Sequence, residues 1–294
     1  MPISAGVVGI GNRGAYRARS LGANPNVTLE GVSDADSRRA GEVARQNGCR
    51  VFSSTLDLFE ACDTIFVSVP TCDHFLVARE ATRLGKDVFL EWPPATSIDE
   101  VASLVRISHE AGSTLSVSAP LLHHPAWETW NPATPPSILQ FDFSYRNSQH
   151  QDIHWPHEIA DCLTIILKAA GSLAIRKLDA RAARSTGAII HTVAFTAQLE
   201  KGTLIQVLLH RSDAPSRRVL TLADRNETTS LSFDIREDAP TSSSPETTPS
   251  VESLLEAEQE AFMFSTVPTP GGTLSIADSL VIVQQIERIL AKLR

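Results

Sequence analysis

The chain has 294 residues, of which 42% are hydrophobic and 20% charged, and its formal net charge at pH 7 is −8. This composition is that of a globular protein with a sizeable core, and the length suits one large domain or two. The negative charge argues against nucleic acid and anionic membranes as partners, because both attract basic surfaces. No apolar run approaches the roughly 20 residues of a membrane span. The four cysteines form no C-x-x-C motif, so we expect no zinc site and a cytoplasmic location. A strand pattern starts at Ile3, so we also expect no signal peptide.

A glycine-rich loop follows the first apolar segment. Ile3–Val8 predicts a strand and Asn12–Leu21 a helix, with a G-x-G-x-x-G motif between them. In this context the first glycine permits a tight turn, the second lets a pyrophosphate approach the backbone, and the third lets the helix pack on the strand. The helix N-terminus adds free N–H groups. We therefore predict that a dinucleotide binds at Gly9, Gly11, Asn12, Arg13 and Gly14.

An acidic residue, Asp34, follows the second predicted strand, Val27–Ser33. A carboxylate here accepts hydrogen bonds from the ribose hydroxyls of NAD and repels the 2′-phosphate of NADP. Arg38 and Arg39 weaken this preference, because arginine binds phosphates. The predicted cofactor is NAD or NADP, with NAD favoured and Arg38 included in the site. The alternative is that Asp34 only caps the next helix.

Strands and helices alternate through the first part of the chain, which indicates a parallel sheet. The further strands predicted there are Thr64–Val69, Asp87–Glu91 and Thr114–Ser118, and the further helices are Ser37–Asn47, Asp73–Leu84 and Ile98–Ala111. After about residue 120 the pattern favours a largely antiparallel sheet. Its predicted strands are Ile138–Arg146, Ala188–Leu199, Thr203–His210, Arg217–Leu222 and Thr228–Ile235. Helices are predicted at Pro156–Ala170, Val251–Ser265 and Ile276–Leu293, and a loop at Ala239–Ser250.

Two further segments accompany the loop and Asp34: Val69–His74, with the sequence V-P-T-C-D-H, and Gly85–Pro93, with the sequence G-K-D-V-F-L-E-W-P. With them the chain resembles the glucose–fructose oxidoreductase, inositol dehydrogenase and MocA family (Gfo/Idh/MocA), whose members carry P-x-x-x-H and G-K-x-V-x-x-E-K-P segments. The resemblance implies an α/β fold with an N-terminal Rossmann domain, built on a doubly wound parallel sheet, over residues 1–119. It implies a C-terminal α/β domain with an open, mostly antiparallel sheet over 120–294, whose last helix packs back on the first domain.

The resemblance also implies an activity. Family members move a hydride between a nicotinamide and a sugar, cyclitol or similar small molecule, and they form homodimers or homotetramers. The cofactor is expected beside Pro70, Thr71 and His74, which follow the fourth strand, and beside Glu91 and Trp92 after the fifth. The alternatives are that His74 merely starts a helix and that Glu91 is a carboxylate in water.

The chain departs from the family at Trp92. Other family members carry the lysine of the E-K-P segment at this position, and that lysine helps to polarise or deprotonate the reacting hydroxyl. An indole cannot act as a base, so Trp92 is predicted to form an apolar wall of the substrate pocket. An imine-like substrate then becomes as plausible as an alcohol. Leu122 stands where an arginine is expected, and His123 or His124 could take over its polar role. The alternative function is a catalytically silent dinucleotide-binding regulator.

The family's D-x-x-x-H-x-x-D signature is also altered. Asp161 matches the last position of the signature. Strict spacing then places Glu158 at the histidine position and His154 at the first aspartate position. A shift of one residue instead places His157 at the histidine position. His157 and Asp161 are four apart and share a helix face. The predicted catalytic residues are His157, Asp161 and Glu91, and the predicted substrate pocket is lined by Trp92, His124, His154 and His157.

His150, His154, His157 and Asp161 also include the residue types of a metal site. The proline at position 156 interrupts the helical spacing between them, and no metal is predicted.

Overall fold

The computed structural model describes residues 2–130, 135–146, 154–184, 189–225, 227–235, 248–264 and 272–293. These form two compact units. The first contains residues 2–118, 260–264 and 273–280, and the second contains the described residues from 119 to 259 together with 272 and 281–293. Among the described residues no helix has the length and apolar character required to cross a bilayer.

The first unit is built on a seven-stranded sheet. Its strands are β1 (Ile3–Val8), β2 (Val27–Ser33), β3 (Arg50–Val51), β4 (Thr64–Val67), β5 (Asp87–Leu90), β6 (Leu115–Val117) and β13 (Leu274–Ser275). Their order is β13-β6-β5-β4-β1-β2-β3, and every pairing is parallel except that of β13 with β6. The connecting helices are α1 (Asn12–Ala23), α2 (Ser37–Asn47), α3 (Thr55–Ala61), α4 (Thr71–Arg83) and α5 (Ile98–Ala111). This is the doubly wound Rossmann order, which confirms the predicted fold class and places the topological switch point between β1 and β4.

The second unit is built on a six-stranded mixed sheet. Its strands are β7 (Ile138–Arg146), β8 (Ile175–Arg184), β9 (Ile190–Leu199), β10 (Leu204–Ser212), β11 (Arg217–Ala223) and β12 (Thr228–Ser232), in the order β12-β11-β7-β10-β9-β8. The pairing of β7 with β10 is parallel and the other four are antiparallel. Helix α6 (Trp155–Ala170) belongs to this unit, and α7 (Val251–Phe264) and α8 (Ile276–Leu293) contribute residues to both units. The mostly antiparallel second sheet is thus confirmed.

Strand β7 shows why the second sheet has one buried face. Its side chains alternate strictly between exposed and buried over most of its length, as period-two patterning requires. Phe141, Phe143 and Tyr145 are all buried. Leu139 extends the same buried row, and Ile138 is 43% exposed, so the apolar side chains do not all lie on the covered face.

Several elements differ from the sequence prediction. Strands β3, β8 and β13 and helix α3 were not predicted, and α4 begins at Thr71 rather than at Asp73. Strand β12 ends at Ser232, before the predicted Ile235. Most of the predicted loop at 239–250 lies outside the described residues.

Candidate functional site

The three glycines of the loop after β1 serve different steric needs. Gly9 has a positive φ of 85°, and a Cβ there would lie 2.6 Å from the backbone of Ser68. A Cβ on Gly14 would lie 1.8 Å from the Gly9 carbonyl oxygen. A Cβ on Gly11, by contrast, would meet no atom of the described residues within 4 Å. Gly9 and Gly14 are therefore required by the fold itself, whereas Gly11 borders open space.

The N-terminus of α1 adjoins that open space. Gly11 is its N-cap, no side chain among the described residues caps the helix, and its first turn holds no acidic residue. Asn12 and Arg13 are exposed. An uncapped helix N-terminus presents free N–H groups and partial positive charge, which suits an anion. The loop therefore fits a pyrophosphate.

Asp34 lies directly beside this loop. Its side chain is 6% exposed. Oδ2 accepts the Ile10 N–H at 2.5 Å, and Oδ1 accepts the Asp36 N–H at 2.7 Å and Arg39 Nη2 at 2.8 Å. Burial alone would raise the pKa of Asp34, but the hydrogen bonds from Arg39, Ile10 and Asp36 outweigh it and lower the pKa. The carboxylate is thus held charged and fixed at the end of β2.

The two arginines after Asp34 differ in their partners. Arg39 forms the ion pair with Asp34 just described. Arg38, with a side chain 77% exposed, pairs with Glu42 at 2.9 Å. Asp36, rather than Asp34, supplies the side-chain cap of α2. The alternative in which Asp34 only caps that helix is therefore wrong.

A buried arginine that sequence reasoning did not identify holds Glu91. Arg17, in the second turn of α1, is fully buried, and its Nε lies 3.0 Å from Glu91 Oε1. Its guanidinium carbon lies 4.8 Å from the ring centre of Phe89. The Glu91 side chain is 12% exposed, so Glu91 is neither a carboxylate in open water nor a free base.

His74 connects the ends of two neighbouring strands. It is 2% exposed. Its Nε2 lies 2.9 Å from the carbonyl oxygen of Val69, which follows β4, and its Nδ1 lies 2.7 Å from that of Pro93, which follows β5. His74 thereby positions the segment that carries Trp92. Pro70 is the N-cap residue of α4 and Thr71 its first residue, and the contact of these residues with a cofactor stays a prediction.

In the second unit, His154 and His157 form a pair at the start of α6. Their Nδ1 atoms lie 3.0 Å apart, their ring centres lie 5.1 Å apart, and both residues are exposed. In such a pair one ring donates its N–H and the other accepts it. His150 lies outside the described residues. Among the residues that the structure describes, no group of three or more His, Cys, Asp or Glu side chains is arranged to hold a metal.

His124 is engaged within the second unit. It is 6% exposed, its Nδ1 accepts the Ala126 N–H at 3.1 Å, and its Nε2 donates to the Asp234 carbonyl oxygen at 3.0 Å. Its ring centre lies 5.2 Å from that of Phe233. Burial is the main reason why its pKa is lowered. These contacts give His124 a structural role within the second unit.

A lysine occupies the neighbourhood of Leu122, where the family often has an arginine. Lys168 Nζ donates to the Leu122 carbonyl oxygen at 2.5 Å and lies 4.8 Å from a ring centre of Trp127. Burial lowers the pKa of Lys168 to about 8. Burial and the nearby Lys168 charge lower the pKa of His123 to about 4. His123 is therefore neutral at pH 7.

Two carboxyl groups of α6 lie among buried polar side chains. Glu158 and Asp161 are both partly buried. Burial, followed by the charge of Glu158, raises the pKa of Asp161 to about 7, against the opposing charge of Arg218. Burial also raises the pKa of Glu158. Of the two residues predicted to share a face, Asp161 is thus drawn into this cluster, whereas His157 is exposed.

Residues 3–119 match the family model described as the oxidoreductase family with an NAD-binding Rossmann fold. The similarity to the Gfo/Idh/MocA family thus lies within these residues. The matched region contains the glycine loop, Asp34, His74 and Glu91.

Two relatives match the same region. UDP-N-acetylglucosamine 3-dehydrogenase of Acidithiobacillus ferrooxidans is 32% identical over 121 residues, which are 41% of this chain and 38% of that protein. Inositol 2-dehydrogenase of Rubrobacter xylanophilus is 34% identical over 116 residues, which are 38% of this chain and 33% of that protein. The alignments thus span little more than a third of these relatives. Because both are dehydrogenases, they do not support a catalytically silent regulator.

The fold as a whole also has a solved counterpart. The structure of the A. ferrooxidans UDP-N-acetylglucosamine 3-dehydrogenase matches with a TM-score of 0.83 and 20% identity, covering 100% of this chain and 98% of that one. At this identity the match establishes the fold. The sequence similarity is therefore concentrated in the first unit, whereas the fold similarity extends over both.

Proposed function

We propose that the protein is an NAD(P)-dependent oxidoreductase acting on a small sugar-, cyclitol- or imine-like molecule. The observation that carries the proposal is the open space at Gly11, bordered by the uncapped N-terminus of α1 and followed by Asp34 at the end of β2. Strand ends at a topological switch point are where dinucleotides bind in this fold. The family match and the two dehydrogenase relatives support the same conclusion.

The residues proposed to hold the cofactor have distinct tasks. The backbone of Gly9–Gly14 receives the pyrophosphate, and Asp34 accepts the hydroxyls of the adenosine ribose. His74 holds the backbone near Pro70, Thr71 and Trp92. When bound, the nicotinamide supplies or accepts the hydride.

NAD is proposed as the favoured cofactor, although the preference is modest. Asp34 is charged and fixed, and a 2′-phosphate beside it would be repelled. Arg39 partly neutralises that charge and has a side chain 46% exposed. Arg38 has the more exposed side chain and pairs with Glu42. Two arginines close to Asp34 therefore limit the discrimination against NADP.

The proton needed in the reaction must come from a group other than Trp92, because an indole does not titrate near neutral pH. Glu91 is bound to Arg17 in a mostly buried ion pair, so its proposed role is to fix charge and position beside Trp92. His157 and Asp161 remain candidates, and of the two only Asp161 lies in a partly buried cluster of titratable groups. Trp92, His154 and His157 are proposed to line the substrate pocket.

Calorimetric titration with NAD⁺, NADH, NADP⁺ and NADPH tests the cofactor part of the proposal. We expect saturable binding of both NAD forms and weaker binding of the NADP forms. Nicotinamide absorbance at 340 nm is then followed with panels of sugars, cyclitols and cyclic imines. Absence of binding by all four dinucleotides would remove the proposal, whereas binding without turnover would restrict it to the cofactor site.

A further inference from the structure

The carboxylate of Asp34 is almost fully occupied by donors of the protein itself. A carboxylate offers about four acceptor directions, two on each oxygen. Oδ1 accepts the Asp36 N–H at 2.7 Å and Arg39 Nη2 at 2.8 Å, and Oδ2 accepts the Ile10 N–H at 2.5 Å. Among the described residues this leaves one free direction, on Oδ2. The two hydroxyls of an adenosine ribose need two acceptor directions, so one of the present donors must leave before both hydroxyls can bind.

Of these three donors, Arg39 is the one that can leave without a change of the fold. The N–H groups of Ile10 and Asp36 belong to the main chain, in the loop after β1 and in the turn before α2. The Arg39 guanidinium ends a flexible side chain that is 46% exposed, whereas the side chain of Asp34 is 6% exposed. An ion pair that is open to water on one side contributes little to stability. The Arg39 contact is therefore the one that a ligand can replace.

The position of Arg39 in α2 also favours an anion beside it. Arg38 and Arg39 are the second and third residues of this helix, whose first turn holds no acidic residue. Cations are unfavourable at a helix N-terminus, because that end carries partial positive charge. Arg38 is compensated by Glu42 at 2.9 Å, and Arg39 by Asp34. When Asp34 binds a ribose instead, Arg39 loses its compensating carboxylate, and a phosphate group can replace it.

We propose that Arg39 competes with the adenosine ribose for Asp34 Oδ1 and thereby sets the preference between NAD and NADP. The inference rests on the proposed function. When NAD binds, the ribose hydroxyls displace Arg39 from Asp34, and the ion pair is lost without replacement. When NADP binds, the displaced guanidinium pairs with the 2′-phosphate, because an arginine offers two parallel N–H groups to such an anion. Arg39 therefore weakens NAD binding, strengthens NADP binding and reduces the discrimination that Asp34 alone would give.

Calorimetric titration of Arg39→Met with NAD⁺ and NADP⁺ tests this competition. We expect the Kd for NAD⁺ to fall by about two- to fivefold, because no exposed ion pair has to be broken. The Kd for NADP⁺ should rise by about 10- to 100-fold, the usual range for a lost hydrogen bond to a charged group. Opposite changes of the two Kd values are diagnostic, since a general loss of affinity would raise both.

Two further variants and two shorter ligands sharpen the test. Arg45→Met is the matched control, because Arg45 is an exposed arginine in the last turn of the same helix, and both Kd values should change by less than about twofold. Arg39→Lys keeps the charge but not the two parallel donors, so its Kd for NADP⁺ should lie between those of the wild type and Arg39→Met. ADP and adenosine 2′,5′-bisphosphate should reproduce the changes seen with NAD⁺ and NADP⁺, because they carry the same two forms of the ribose.

Failure of this inference is distinguishable from failure of the proposed function. If the wild type binds NAD⁺ and Arg39→Met weakens NAD⁺ and NADP⁺ alike, Arg39 only supports Asp34 and the competition is refuted. An effect of Arg38→Met on NADP⁺ as large as that of Arg39→Met would refute the assignment to Arg39. If the wild type binds none of these dinucleotides, the proposed function fails and the inference falls with it. Thermal unfolding of each variant without ligand separates all of these outcomes from misfolding.

Discussion

Arg17 is the residue on which the position of Glu91 depends. Replacing it with methionine keeps most of the side-chain volume but leaves Glu91, whose side chain is 12% exposed, without its partner. Breaking a buried ion pair from one side typically costs about 3–5 kcal/mol. We expect Arg17→Met to lower the free energy of unfolding by about 3 kcal/mol. This value is at the lower end of the range because Glu91 retains some contact with water. Urea denaturation measures the loss.

Arg38→Met is the matched control, because Arg38 also pairs with a glutamate but has a side chain 77% exposed. Exposed pairs four residues apart on a helix contribute only about 0.3–0.5 kcal/mol. Equal losses in the two variants would show that the Arg17–Glu91 pair is no stronger than a surface contact.

Asp161 gives stability a definite pH dependence. Its pKa is about 7 in the folded protein against an ordinary 3.8, so between these values the folded state holds a proton that the unfolded state has lost. Stability attributable to this group is therefore full below about pH 4 and is lost as pH rises through 7. Asp161→Asn carries no charge, and its free energy of unfolding relative to the wild type should rise by about 1–3 kcal/mol from pH 4.5 to pH 8.

Denaturation at several pH values measures this difference, with Asp179→Asn as control. The Asp179 side chain is 59% exposed on β8, so Asp179→Asn should change the free energy of unfolding by less than about 1 kcal/mol. A pH-independent difference for Asp161→Asn would mean that Asp161 is ionised in the folded protein at neutral pH.

Among individual residues, the sequence predicted those whose contact partners lie within the strand–loop–helix motif. Gly9, Gly14 and Asp34 follow from the strand–loop–helix pattern, because their steric and hydrogen-bonding partners are set by the motif. Arg17 could not be found in this way, since an arginine in a helix ordinarily faces solvent and its partner lies 74 positions away. Tyr145 and Arg218 meet the α6 carboxyls only through the pairing of β7 with β11, which the sequence pattern does not specify.

The loop between β1 and α1 permits a test in which stability and ligand binding separate. Gly11 has φ −71°, which any residue adopts, and open space around it. Gly11→Ala should therefore keep the free energy of unfolding within about 1 kcal/mol of the wild type. It should weaken NAD⁺ binding at least about tenfold, which corresponds to 1.4 kcal/mol of lost contact.

Gly14→Ala is the contrasting variant, since its Cβ would lie 1.8 Å from the Gly9 oxygen. Overpacking of this kind costs about 1–3 kcal/mol, so this variant should lose stability as well as affinity. Thermal unfolding and calorimetry on the same preparations give both quantities. Unchanged NAD⁺ affinity in Gly11→Ala would place the pyrophosphate elsewhere.

The elements that sequence patterning missed are those with little periodicity. Strand β3 has two residues, both exposed, and α3 has only seven residues. Strand β8 is an edge strand in which charged side chains interrupt the alternation, as is common where an edge must resist pairing with other chains. Strand β7 was predicted because its alternation is nearly complete. Its parallel pairing with β10 was not, because alternation defines a buried face and not a neighbour.

The second sheet leaves large apolar side chains uncovered on one face. Leu204 is 50% exposed, Leu208 is 38% exposed, and Leu204 pairs in register with Ile138, which is 43% exposed. Residues at even spacing on a strand share a face, so these side chains form one patch. Such patches commonly mark contact surfaces. We propose that a second copy of the chain covers this one, giving a homodimer or a homotetramer.

Light scattering after size exclusion tests this proposal at micromolar concentration. The wild type should have a mass of two or four times 31.9 kDa, and Leu204→Lys combined with Leu208→Lys should shift it towards the single-chain value, because two buried charges without partners oppose association. Leu76→Lys, at a leucine of α4 that is likewise 50% exposed, should leave the mass unchanged. A monomeric wild type would refute the assembly, and an equal change caused by Leu76→Lys would show that the loss of mass is not specific to the patch on the second sheet.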